Sequence, residues 1–231
     1  MFGITCGVPG GGQERGGGMS KLKTIGLELV HHLPFSIFGV ASGLLVMGFL
    51  TFIAVLLGSE DRLSVASQEL FHVFHPTHIL FSSVTTTAMF LKHEKRRLKA
   101  VVVGFFGSVT ICGVSDVFFP FLGGKILGQD MAMHICIIEH PGLIIPFALG
   151  GILAGLFIGQ SIEHSTEYSH STHIFISSVS SILYLTAYGL EDWPHMIAGV
   201  FIVTILAVMI PCCVSDIAFP LYCVHRNCNH P

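Results

Sequence analysis

The sequence predicts an all-α integral membrane protein of about six transmembrane helices, arranged as two three-helix repeats of inverted topology. Three observations lead there: charge is scarce and clustered, the stretches between charges have membrane length, and the second half of the chain repeats motifs of the first in the same order. Of the 231 residues 52% are hydrophobic and 11% are charged, with a mean hydropathy of +0.75. A soluble domain carries about a quarter charged residues.

Pro34 to Leu57 contains no Asp, Glu, Lys, Arg or His, and further uncharged stretches cover 79–91, 101–115, 141–162, 174–190 and 196–215. Crossing the hydrocarbon takes roughly 20 apolar residues in a helix, and backbone polar groups in lipid are satisfied only in helices or closed barrels. No dyad alternation points to a barrel. Extended through flanking polar residues, the expected spans are 34–57, 70–91, 98–122, 135–160, 168–189 and 195–223. Gly58-Ser59 follows the first, Pro120 and Gly123-Gly124 are expected to end the third, and Pro194 opens the sixth. The organisation expected is a Gly-rich, disordered tail over 1–27 (with Met19 as an alternative start), a first repeat over 28–128, a second over 129–224 and a short tail over 225–231.

Charge orients the helices. With six spans, Arg15, Lys21, Lys23, Lys92, Lys95, Arg96, Arg97, Lys99 and Arg226 share one side, and Arg62 and Lys125 the other. Basic residues favour the cytoplasmic side, so both termini are expected in the cytoplasm and the chain in the cytoplasmic membrane. The basic run 91–99 is read as a topology anchor, not as a nucleic-acid surface. A homo-oligomer is compatible with six helices.

The repeat is carried by polar as well as apolar residues. FHPTHILFSSV (74–84) matches SHSTHIFISSV (169–179), and CGVSDVFFP (112–120) matches CCVSDIAFP (212–220). The first helices match more weakly, through Gly39 and Gly43 in one unit and Gly151 and Gly155 in the other. Glycines at i, i+4 make a small face for close helix packing. An odd number of helices per unit turns the second copy upside down, the arrangement of many transporters, with the substrate site at the repeat interface.

Ionisable residues inside spans are costly and mark functional sites. Glu69, His72, His75 and His78 recur every third residue, as do His164, Glu167, His170 and His173. Topology places His75, His78 and Asp116 near the outer membrane face, with Glu139 and His140 beside them. It places His170, His173 and Asp216 near the inner face, with Glu28 and His32. Two His-carboxylate clusters are therefore expected, one toward each face. Imidazole and carboxylate suit a divalent transition metal such as zinc, nickel, cobalt, manganese or iron. A stripe of Ser82, Thr85, Ser177, Ser181 and Tyr184 would line a pathway between them. Cys112, Cys136, Cys212 and Cys213 are expected to act as small apolar residues, and His134, His164 and His195 to sit at the interface.

The function expected is a transporter or channel for such a cation. The alternatives are a proton or small polar solute pathway, or an intramembrane metal hydrolase. Near-equal duplication argues against the hydrolase, which needs one asymmetric site with an open metal position. No Walker motif or convincing dinucleotide fingerprint is present, so no nucleotide cofactor is expected.

Overall fold

The structure is a computed structural model and describes residues 17–158, 166–190 and 192–213. Among these residues every regular element is helical: α1 (Gly17–Leu56), α2 (Leu63–His93), α3 (Arg97–Gly113), α4 (Phe119–Ile126), α5 (Cys136–Glu139), α6 (Pro141–Ile158), α7 (Thr166–Ala187) and α8 (Ile197–Cys213). A 3₁₀ turn at Glu60–Arg62 joins α1 to α2, and a π-helical turn at Val114–Phe118 joins α3 to α4. Three segments are long and apolar enough to cross a membrane: Leu33–Leu56, Arg97–Ile126 and Pro141–Ile158. Thr172–Ala187 and Ile197–Pro211 are apolar but shorter.

The surface has the polarity of a lipid-facing protein. Phe38, Leu45, Phe49, Phe52 and Leu56 of α1 are all more than half exposed, as are Phe106, Leu153, Phe157 and Ile202. The interior holds the polar residues instead: Ser82, Ser83, Thr86 and Thr87 of α2 and Ser177, Ser178, Ser180 and Ser181 of α7 are all buried. In water this distribution would expose a large apolar area. In hydrocarbon it is the lower-energy one, because hydroxyls and imidazoles gain protein partners that lipid cannot supply.

Several boundaries differ from those expected. Helix α1 begins at Gly17, ahead of the expected first span at 34, and residues 1–16 of the expected tail lie outside the described residues. Pro120 and Gly123-Gly124 do not end the third helix, which runs on to Ile126. A proline ring clashes with the carbonyl four residues before it, here that of Asp116. The π-helical turn centred on Asp116 widens the backbone at that point and lets the helix pass through Pro120. Gly123 and Gly124 serve close approach instead, since a Cβ on the first would collide with Val203 and on the second with Met131. The fourth span is broken as well. His140 leaves the helix (φ −130°, ψ 56°) and separates α5 from α6, because the residue before a proline is disfavoured in helical conformation and Pro141 is well suited to open the next helix.

Helices α2 and α7 form the centre. Helix α2 packs on α3, α6 and α7, and α7 packs on α1, α2 and α8. The two run antiparallel: Ser64 Oγ donates to the Ala187 carbonyl (3.0 Å), the Phe71 ring meets Tyr184 and Tyr188, and His78 meets His173. The small faces predicted from sequence lie in this packing. Gly39 and Gly43 sit against Ile174, Ser178 and Val179 of α7, and Gly151 and Gly155 against Leu80, Ser83, Val84 and Thr87 of α2.

The segment before α8 is tied to α1 by Trp193, which is buried and donates Nε1–H to Thr51 Oγ1 at 3.0 Å. The Thr51 hydroxyl donates in turn to the Met47 carbonyl at 2.9 Å. Trp193→Phe keeps most of the ring and removes one hydrogen bond, a net loss of about 1 kcal/mol. The expected result is a thermal midpoint in detergent lowered by roughly 2–4 °C; an unchanged midpoint would mean the bond adds nothing to stability.

Candidate metal centre

The widened turn at Val114–Phe118 points a carboxylate into the protein. Asp116 is fully buried and accepts four hydrogen bonds. His75 Nδ1 (2.9 Å) and His78 Nδ1 (2.7 Å) donate to Oδ2; Ser115 Oγ (2.8 Å) and Ser177 Oγ (2.9 Å) donate to Oδ1. A carboxylate only accepts, so each imidazole carries a proton on Nδ1, and in the neutral ring Nε2 keeps the lone pair.

His78 shows where that lone pair goes. Its Nε2 lies 3.0 Å from His173 Nε2 and 3.7 Å from Cys112 Sγ. Two nitrogens on one tetrahedral zinc stand about 3.3 Å apart, and a nitrogen and a thiolate sulfur about 3.6 Å, given bonds of about 2.0–2.1 and 2.3 Å. Each distance taken alone is near that between two donors on one ion; the group among the described residues whose donor atoms all lie within 4.8 Å of one another is the one described next. A carboxylate behind a metal-binding histidine is the usual outer-shell partner, setting tautomer and ring direction.

A second group lies nearer the start of α2, two turns before His78. His72 Nε2 is 3.1 Å from His134 Nε2, and donor atoms of His72, His134 and Cys136 all lie within 4.8 Å of one another. Such a group could hold a metal ion. Here too a carboxylate backs an imidazole, Glu139 Oε2 standing 2.8 Å from His134 Nδ1. The His140 ring lies 4.8 Å from that of His72. His134 stands outside the apolar spans; burial, the largest influence, holds its pKa below the ordinary value and outweighs the opposing pull of Glu139. The ring is neutral near pH 7, the form that binds metal. A cavity of about 300 Å³ borders both groups, with His75 and Cys136 in its wall.

His75, His78 and Asp116 thus come together as expected. His173 was expected at the opposite face but joins them, touching His78. His78 is the sixteenth of the 31 residues of α2 and His173 the eighth of the 22 of α7, and the antiparallel packing of the two helices brings these positions level. Glu139 and His140 lie with His72 and His134. The side chains of Glu28, His32 and His170, and the whole of Asp216, lie outside the described residues.

The expected hydroxyl stripe is mixed. Ser177 bonds Asp116, Ser181 Oγ donates to the Ser115 carbonyl (3.2 Å), and Tyr184 Oη donates to the Ala132 carbonyl (3.2 Å). Thr85 turns back onto the Phe81 carbonyl of its own helix (3.1 Å). Ser82 is buried and its hydroxyl has no hydrogen-bond partner among the described residues. Sequence reasoning passed over Cys112, Cys136 and His134. The signal for Cys112 was its i, i+4 spacing to Asp116; Cys136 and His134 meet His72 only through the break before Pro141. No protein-family model, curated protein or solved structure matches the chain.

Proposed function

We propose that the chain is a multi-pass membrane transporter or channel for a divalent transition-metal cation, built from six spans in two inverted three-helix units, with both termini cytoplasmic. One observation carries the proposal: His78 Nε2, oriented by buried Asp116, faces His173 Nε2 and Cys112 Sγ at spacings suited to a shared ion. A sulfur donor favours zinc, cobalt, nickel or iron over manganese.

The packing supports inversion. Exchanging α1, α2 and α3 with α6, α7 and α8 maps the contacts of α2 with α3 and α6 onto those of α7 with α8 and α1, and the contact of α3 with α6 onto that of α8 with α1. Gly39 approaches Ser178 just as Gly151 approaches Ser83, its repeat equivalent, and both serines donate one turn back along their helix at 2.8 Å. The meeting of His78 with His173, also repeat equivalents, then falls on the axis relating the two units, where such transporters hold their substrate. Beyond the histidines, Ser82, Thr86 and Ser180 are buried hydroxyls without a hydrogen-bond partner among the described residues. Each costs about 1–3 kcal/mol if left dry, which supports a hydrated or ion-bearing path there.

A second reading, a proton relay, draws on the ring-to-ring Nε2 contacts at 3.0 and 3.1 Å. Liposome flux separates the two. His78→Gln and His173→Gln, each checked for native elution, are expected to lower zinc or cobalt flux by at least about 10-fold. Proton flux without metal flux in the wild type selects the relay, and metal flux unchanged in both variants sinks the proposal.

A further inference from the structure

The group near the start of α2 repeats the chemistry of the central one with different residues. In the centre the order is Asp116, His78, then His173 and Cys112. Here it is Glu139, His134, then His72 and Cys136. In each, a carboxylate holds Nδ1 of one imidazole and leaves its Nε2 facing a second Nε2 with a cysteine close by. The internal repeat does not generate this likeness, since His134, Cys136 and Glu139 belong to none of the motifs that the two units share.

The segment is also held in place. Residues 132–135 are not helical, yet the His134 N–H donates to Tyr184 Oη at 3.1 Å and the Ile135 N–H donates to Glu139 Oε1 at 3.1 Å. The His134 ring stacks on Tyr188, with centroids 4.8 Å apart and planes 11° from parallel. A short non-helical stretch fixed by its neighbours that presents an imidazole, followed by a thiol on the first residue of α5, both toward a third donor, is a built arrangement. Access is available, because Glu139 and His140 at its rim are exposed.

We propose that His72, His134 and Cys136 form a second cation site, at the mouth of the path, which takes a zinc-class divalent ion through two imidazole nitrogens and one thiolate. Three protein donors leave a fourth position for water or for His140, as suits an ion that must move on. Six residues of α2, about 9 Å along its axis, separate His72 from His78, and His75 stands between them beside the cavity shared with Cys136. The place of this site on a path rests on the transport reading; its occupancy by metal does not.

Zinc content of the purified full-length chain, measured on wild type, Cys136→Ser, His134→Gln and His78→Gln, tests both sites. The expected result is one equivalent lost in each variant from the wild-type content. An equivalent lost in His78→Gln but in neither Cys136→Ser nor His134→Gln overturns the mouth site alone. The reverse pattern leaves it standing and overturns the central site, and no bound zinc in the wild type overturns both. A second measurement uses the chain with its other six cysteines changed to Ser, titrated with cobalt(II) alone. A thiolate-to-cobalt charge-transfer band is expected, and is expected to vanish on adding Cys136→Ser. Cobalt bound by that chain without the band overturns the assignment of Cys136.

Discussion

Asp116→Asn is expected to abolish high-affinity metal binding at the centre while leaving the fold largely in place. The substitution keeps the shape of the side chain and changes what it can do. The carboxylate accepts from His75 and His78 on Oδ2 and from Ser115 and Ser177 on Oδ1. Asparagine can still accept the two hydroxyls on its oxygen, but its nitrogen donates. His75 and His78 must then turn lone pairs toward it, which moves their protons to Nε2. At His78 that proton occupies the direction in which His173 and Cys112 lie. Changing a carboxylate behind a metal-binding histidine lowers affinity about 10–100-fold, and a tautomer locked the wrong way belongs at the upper end of that range. Ser177→Ala is the control. It removes one hydroxyl from Oδ1, leaves both histidine bonds intact, and should cost about 1 kcal/mol of stability with little change in affinity. Isothermal titration with zinc on the two variants checks the contrast; equal affinities in Asp116→Asn and wild type would remove Asp116 from any role in orienting His78.

The sequence made the helical class, three of the expected apolar spans and the pairing of His75 and His78 with Asp116 legible, because each rests on spacing along one or two helices. Gly39, Gly43, Gly151 and Gly155 were legible for the same reason, as small residues one turn apart. Depth was not. A histidine at the boundary of an uncharged window gives no sign of where its helix begins, and the start of α2 at Leu63 makes His78 the sixteenth of 31 residues. Local backbone breaks were hidden too. Pro120 reads as a stop signal, and only a neighbouring widened turn shows how the helix absorbs it. His134 and Cys136 could not be assigned from spacing, because they approach His72 across 62 and 64 residues of chain through a non-helical segment. Their carboxylate partner, Glu139, was recognised as a candidate, but its 2.8 Å contact with His134 could not be read from its place along the chain.

Gly151→Ala is expected to be the most disruptive conservative substitution in the membrane-spanning part of the chain. Most of α6 is apolar and tolerant, and at Gly150 an added Cβ would meet nothing within 4 Å. At Gly151, one residue on, the same methyl group would collide with Ser83 Oγ and with the backbone carbonyl oxygen of Leu80. The serine can rotate only by giving up its bonds to the Ile79 and Leu80 carbonyls. The Leu80 oxygen cannot move without moving α2 itself, and a backbone shift of that helix displaces His78, two residues before it. Overpacking of this kind typically costs about 1–3 kcal/mol, and the top of the range applies where the obstructing atom is main chain. The effect should appear twice, as a thermal midpoint lowered by several degrees and as weakened zinc binding, whereas Gly150→Ala should change neither. Gly39→Ala offers an intermediate case, because its closest obstacle is the Ile174 Cγ2 methyl at 2.9 Å, which can yield. A Gly151→Ala protein as stable as Gly150→Ala would show that α2 and α6 do not approach so closely, and would take with it the matched packing that supports the proposed inversion of the two units.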